Sequence, residues 1–283
     1  MKDVKLVATD MDHTLLTEKG ELPPHFAQTI AELKTVGVDF AIASGRPLYT
    51  LLDLFADLKA QLVFISDNGG AIHYKGDLIF TSLLAAEKYQ QMIAFAEQHT
   101  DGVAILCGLD SAYIANKHRQ HETFLSRFYS QITFVDDLQT ITTAANKFTV
   151  YFPDGTSQEN YATVFAPTFG KDFSVTVGDT IWLDIMNQGI DKGQALRLLG
   201  EKLTISDQQM MAFGDTYNDV EMLQAVKYSY LVANAAEDMK QYANYTTKSN
   251  DDYGVSHILD QLIVTKRQAQ YYRKEEHNET IRL

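Results

Sequence analysis

Residues 4–16 read V-K-L-V-A-T-D-M-D-H-T-L-L, and no other stretch restricts the fold as much. The largely apolar run from Val4 to Thr9 predicts a buried strand. Asp10 falls where that strand ends, Asp12 follows two residues later, and Thr14, Leu15 and Leu16 turn the chain back. Open α/β sheets bind ligands outside the carboxyl ends of their strands, which is where these two acids would stand. Carboxylates so close repel each other unless a cation or a shared proton joins them. A plain polar turn would carry the same residues; a phosphate site needs more of them downstream.

The next eighty residues extend the same architecture. After Pro23-Pro24, which predict a helix start, Phe26, Ala27, Ile30 and Leu33 recur at helical spacing until Gly37. Strands are predicted over 38–43 and 62–66, separated by a helix that Pro47 opens. Strand, helix, strand, helix, strand describes a parallel sheet with right-handed crossovers. The strand over 38–43 ends in Ser44-Gly45-Arg46. That is either a turn starting a helix, or a phosphate contact made by a hydroxyl and free backbone N–H groups. Arg46 would add charge there or be solvated. Asn68-Gly69-Gly70 predicts a turn into a hairpin of 71–74 with 78–80.

From about residue 83 the pattern changes. Helices are predicted over 85–98, 118–129 and 158–169, with strands at 103–107, 112–115 and 147–152. Two further strands, 173–177 and 181–186, flank a turn at Gly178-Asp179. This mixture predicts a separate α+β unit, residues 83–187, inserted into a domain made of 1–82 and 188–283. His118 and His121 lie three apart, but with no further ligand at a matching spacing they read as a solvated helix face. Cys107 and Trp182 read as core.

The first architecture resumes near Gly189. Asp191 caps a helix whose first turn holds Lys192, an unfavourable place for a cation unless an anion pairs with it. Met210–Phe213 predicts another strand, ending in G-D-T-Y-N-D. Asp215 and Asp219 thereby repeat the logic of Asp10 and Asp12. Two acidic strand ends in one sheet suit a hard cation, and Mg²⁺ takes carboxylates together with phosphate oxygens. Beyond Lys266 charges and tyrosines mix without a stripe, which predicts a loose helix or disorder.

The formal net charge of −13 argues against nucleic-acid or anionic-membrane partners. It also means that a phosphorylated substrate must meet local positive charge, from a metal or from placed Lys and Arg. No stretch approaches the roughly 20 apolar residues of a membrane span. The lone cysteine, Cys107, allows no disulfide within the chain. With a first strand that begins too soon for a signal peptide, these features predict a cytoplasmic protein.

With these residues assembled, the chain resembles the haloacid dehalogenase-like phosphatases, in their Cof-type branch. The resemblance rests on D-M-D-H-T-L-L, A-S-G-R-P, I-S-D-N-G-G, I-D-K-G-Q-A-L, G-D-T-Y-N-D-V-E-M-L, A-N-A-A-E-D-M-K and S-N-D-D-Y-G-V. It implies a Rossmann-like parallel-sheet core with an inserted α+β cap. It also implies that Asp10 is a nucleophile forming an aspartyl-phosphate and Asp12 the acid and then base. Ser44, Gly45, Lys192 and Asn218 would hold the phosphoryl oxygens. Mg²⁺ would bind Asp10, the Asp12 carbonyl and Asp215, with Asp219 in support. The implied substrate is a small phosphorylated metabolite, a sugar phosphate foremost. A phosphomutase with the same site and a non-catalytic binding protein on this fold are the alternatives. One position departs from the family pattern: His13 stands where glycine is usual, and histidine tolerates the positive φ the turn would need.

Overall fold

A computed structural model describes residues 1–282. Its larger sheet has eight strands, in the order Tyr245–Thr246, Tyr228–Leu231, Met210–Gly214, Leu6–Thr9, Asp39–Ala43, Leu62–Ser66, Ala71–Tyr74 and Asp77–Thr81. The first six run parallel and the last two close it as an antiparallel hairpin. The strand Leu6–Thr9 lies centrally, between Met210–Gly214 and Asp39–Ala43. The acidic ends of the first two therefore stand side by side, because parallel neighbours end on the same edge.

Apolar clusters cover both faces of this sheet, as parallel strands require. Phe40, Ile42, Phe64 and Phe213 pack with Ile30, Leu33 and Leu259 on one face. Ala8, Ala41, Val63 and Ala212 pack with Leu196 and Leu199 on the other. The chain after Lys266 continues as part of the helix Gly254–Arg282. Among the described residues, no helix is long and apolar enough to cross a membrane.

The second sheet comes wholly from residues 103–187, in the order Phe173–Asp179, Trp182–Asn187, Ala145–Tyr151, Val103–Gly108, Ala112–Ala115 and Ile132–Val135. Strand alternation divides its side chains. Ala104, Leu106, Phe148, Val150 and Ile185 face the helix Ala86–His99. Lys147, Thr149, Tyr151, Trp182 and Asp184 share the opposite face, since residues two apart point the same way.

Three local expectations change. The helix predicted over 118–129 is a 3₁₀ stretch, Asn116–His121, and one α-turn, Glu122–Leu125; the strand Ile132–Val135 begins soon after. The helix over 158–169 opens into a π-turn at Tyr161–Phe165, next to Pro167, which has no N–H to donate back. Gly178 is not a turn but a bulge between Val177 and Asp179, so the strand carries on through Asp179.

Candidate active site

The turn after the first strand is closed by a hydrogen bond from Leu16 N–H to the Met11 carbonyl, 2.8 Å. His13 takes φ +59° within it, the conformation expected of the residue in the usual glycine's place. Its ring nitrogen Nδ1 lies 3.0 Å from Glu18 Oε1, and its carbonyl accepts from Asn234 Nδ2. Thr14 Oγ1 donates to Asp215 Oδ1, 2.8 Å, and so ties the two acidic strand ends together.

At the centre, Lys192 is completely buried. Its Nζ donates to Asp10 Oδ1 at 2.5 Å and to Asp219 Oδ1 at 2.6 Å. The second Asp219 oxygen accepts from the backbone N–H groups of Asp215 and Thr216. Asp219 approaches the strand so closely that a Cβ on Gly214 would lie 2.6 Å from its own Cβ. Glycine is thus the residue this packing admits.

Carboxylate oxygens of Asp10, Asp215 and Asp219 lie within 4.8 Å of one another. One ammonium among three carboxylates leaves a buried negative excess. Burial, with Asp219 and Asp215 adding to it, pushes Asp10 well above the usual carboxylate range against the pull of Lys192. Burial and Asp219 push Asp215 up to about 7. Burial alone would lower Lys192, but Asp10 and Asp219 hold its ammonium above the ordinary value. The cluster therefore draws in positive charge. Its all-oxygen donors suit a hard divalent cation rather than a thiophilic one.

Asp12 is not part of this cluster: its carboxylate is held by Arg46, with Nε–Oδ2 at 3.0 Å and Nη2–Oδ1 at 2.7 Å. Arg46 is thus neither simply solvated nor aimed at the cluster. Ser44 is buried and its Oγ accepts from Arg46 N–H. The Gly45 carbonyl accepts from Lys147 Nζ, 2.5 Å. Asn218 Nδ2 donates to Asn68 Oδ1, 3.1 Å. Asp10, Asp12, Ser44, Gly45, Asp215 and Asn218 all border one cavity of about 360 Å³, whose opposite wall includes Phe128, Asp179 and Trp182 of the second sheet's unit. A larger cavity, about 490 Å³, shares Asn68 and Asn218 but contains none of the clustered carboxylates.

Sequence reasoning missed the polar ties under this cavity. Asp184 Oδ2 accepts from Asn68 Nδ2 at 2.6 Å and from Lys147 Nζ at 3.3 Å, and its Oδ1 accepts from Thr149 Oγ1 at 2.5 Å. A usable signal was present: Lys147 and Asp184 are charges inside otherwise apolar strands.

Comparisons with known proteins identify the family. Residues 7–259 match the haloacid dehalogenase-like hydrolase family. The chain is 26% identical over 270 residues to 5-amino-6-(5-phospho-D-ribitylamino)uracil phosphatase YbjI of Escherichia coli K12, covering 92% of this chain and 96% of that one. It is 24% identical to phosphatase YwpJ of Bacillus subtilis 168, covering 92% of this chain and all of that one. A solved structure from Streptococcus mutans UA159 superposes with a TM-score of 0.87 at 30% identity, covering 92% of this chain and 99% of that one. The chain belongs to the haloacid dehalogenase-like hydrolases, with relatives named as phosphatases, and the unit carrying the second sheet is the cap of that fold.

Proposed function

We propose that the protein is a Mg²⁺-dependent phosphomonoesterase of small phosphorylated metabolites, sugar phosphates foremost, acting through an aspartyl-phosphate on Asp10. The observation that carries this is the buried Lys192 bridging Asp10 and Asp219 beside Asp215. A carboxylate reaches an anionic phosphorus only where charge is neutralised. Mg²⁺, held by Asp10, the Asp12 carbonyl, Asp215 and Asp219, would neutralise phosphoryl charge when bound.

The chain's own residues do the rest. Asp10 forms a bond to phosphorus as the bond to the leaving oxygen breaks, and Asp12 gives that oxygen its proton. Asp12 then takes a proton from water as water attacks the phosphoenzyme, which frees Asp10 and inorganic phosphate. Ser44, the Gly45 backbone, Lys192 and Asn218 hold the phosphoryl oxygens. The name of the Escherichia coli relative specifies a phosphorylated ribityl chain, which supports an ester of a sugar-like alcohol. Residues 83–187 form the cap domain in this proposal, hinged where Asn187 Nδ2 donates to Ser82 Oγ and to the Leu83 carbonyl.

Release of inorganic phosphate from an aryl phosphate, with and without Mg²⁺, tests the proposal. Turnover is expected only with the metal, and Asp10→Asn is expected to abolish it. Metal-independent turnover, or an active Asp10→Asn protein, would sink it.

A further inference from the structure

Resting on the phosphatase reading above, we infer that His13 is a specificity residue whose free ring nitrogen selects substrates with further hydroxyl groups on the leaving alcohol. The ring is held from one side. Its Nδ1 donates to Glu18 Oε1 at 3.0 Å; hydrogen bonds from His13 and Asn250 hold the Glu18 carboxyl below its ordinary value, and an ionised carboxylate only accepts. Nε2 is the nitrogen left over, and among the described residues it has no hydrogen-bond partner. It accepts in the neutral ring and donates in the charged one. A hydroxyl meets either form, because it both donates and accepts.

Ring and backbone of His13 are braced by the same two asparagines of the core. Asn250 is buried, and its Nδ2 donates to the Leu16 carbonyl at 3.0 Å and to Glu18 Oε1 at 3.2 Å. Its N–H donates to Asn234 Oδ1 at 3.0 Å, and Asn234 Nδ2 donates to the His13 carbonyl at 2.8 Å. The bonds close a circuit from the ring through Glu18, Asn250 and Asn234 back to the His13 backbone. A side chain held in this way is preorganised, so a ligand that uses it does not have to order it first. The half-exposed ring borders the same cavity as Asp10 and Asp12, together with Phe128 and Trp182 of the cap. An ester seated on Asp10 with its leaving oxygen at Asp12 extends its remaining carbons into that cavity. Phe128 and Trp182 offer apolar surface to its C–H groups, and His13 offers a hydrogen bond to a hydroxyl. The charged groups acting on the ring are Glu18, Asp12 and Asp179, all carboxylates. They disfavour a second phosphate there and suit an uncharged polyol.

The test compares two esters of equal carbon number, ribitol phosphate and n-pentyl phosphate, both with Mg²⁺. Each releases a primary alcohol. Damage to the reaction itself therefore lowers kcat/KM on both, whereas loss of a hydroxyl contact lowers it on the polyol alone. Wild type is expected to favour the polyol. In His13→Gly, kcat/KM on the polyol is expected to fall about tenfold further than on the pentyl ester, the worth of one hydrogen bond. His13→Asn also tolerates the φ of +59° but is shorter, so it should show the same bias and separates the ring from the flexibility of the turn. Glu18→Ala keeps the ring but releases it, and should show a smaller bias of the same sign. Equal falls on the two esters in both His13 variants, no fall, or a wild type without preference for the polyol would overturn the inference. Wild-type turnover of an aryl phosphate would still support the phosphatase reading in those cases. A wild type inactive on the aryl phosphate and on both alkyl esters would overturn that reading, and the inference with it.

Discussion

Among the described residues, Lys147 and Lys192 are both buried next to aspartates, and they do different things. Lys192, in the core, faces Asp10 and Asp219, with Asp215 alongside. Lys147, in the cap, faces Asp184, and the remaining bonds of that pair go to Gly45, Thr149 and Asn68. Burial opposes charge on both ammonium groups, and neighbouring carboxylates raise both above the ordinary value. The difference is in the balance. Lys147 bonds one carboxylate, Asp184, with hydrogen bonds filling the other valences, and so joins cap to core; buried Asp67 adds to its field without bonding it. The core cluster carries more anions than cations, and the surplus shows in the raised Asp10 and Asp215. Balanced buried charge builds architecture here; unbalanced buried charge creates an appetite for a metal and a phosphoryl group.

Substitution should separate the two lysines most sharply. Lys192→Met is expected to lower kcat by about 10³-fold, the effect of removing one preorganised donor from a developing charge. Removing Asp219 as well should not restore it. Lys147→Met should instead act on stability, costing about 3–5 kcal/mol as a broken buried pair. The double variant Lys147→Met/Asp184→Leu should recover most of that loss in chemical denaturation. If the double variant is no more stable than the single, the pair is not the balanced tie described above.

A smaller effect concerns Asp67, which lies under the cap with Oδ2 accepting from Asn146 Nδ2 and Oδ1 unpartnered. Burial pushes its carboxyl from 3.8 up to about 6. The folded chain then binds this proton more tightly than the unfolded chain. Stability contributed here is present at low pH and is lost as pH rises from about 4 to about 6, by about 3 kcal/mol at most. Asn tolerates the φ of +51° found there. Asp67→Asn should therefore flatten this part of the profile and raise Tm at pH 7. An unchanged slope between pH 4 and 6 would show that Asp67 stays charged.

Much of this was legible in the sequence because it is local. The strand at 6–9 and its acids, the helix that begins at Lys192, and the strand ending in Gly214-Asp215 each follow from spacing and from turn residues within about ten positions. Asp10, Asp215 and Asp219 were readable as one site because parallel strands bring their ends to one edge. The ties between cap and core were not readable. Lys147 meets a carbonyl 102 residues away and Arg127 meets Arg46 across 81, and no local period encodes such pairs. The segment at 118–129 departs from its predicted helix for a related reason: Phe124, Leu125, Phe128 and Tyr129 fit a helical stripe. In the structure Phe124, Phe128 and Tyr129 instead wrap Trp182. For Arg46 the sequence offered only two destinations, phosphate or solvent, and the structure adds Asp12 as a third.

The central claim is that Asp10 carries the phosphoryl group. The most direct measurement is to quench the enzyme during turnover of an aryl phosphate with Mg²⁺, reduce it with borohydride, and sequence its peptides by mass spectrometry. An acyl-phosphate is reduced where a free carboxylate is not, so conversion of aspartate to homoserine is predicted at position 10 and nowhere else. Reduction at Asp12 or Asp215, or no reduction in a protein that is demonstrably turning over, would contradict it.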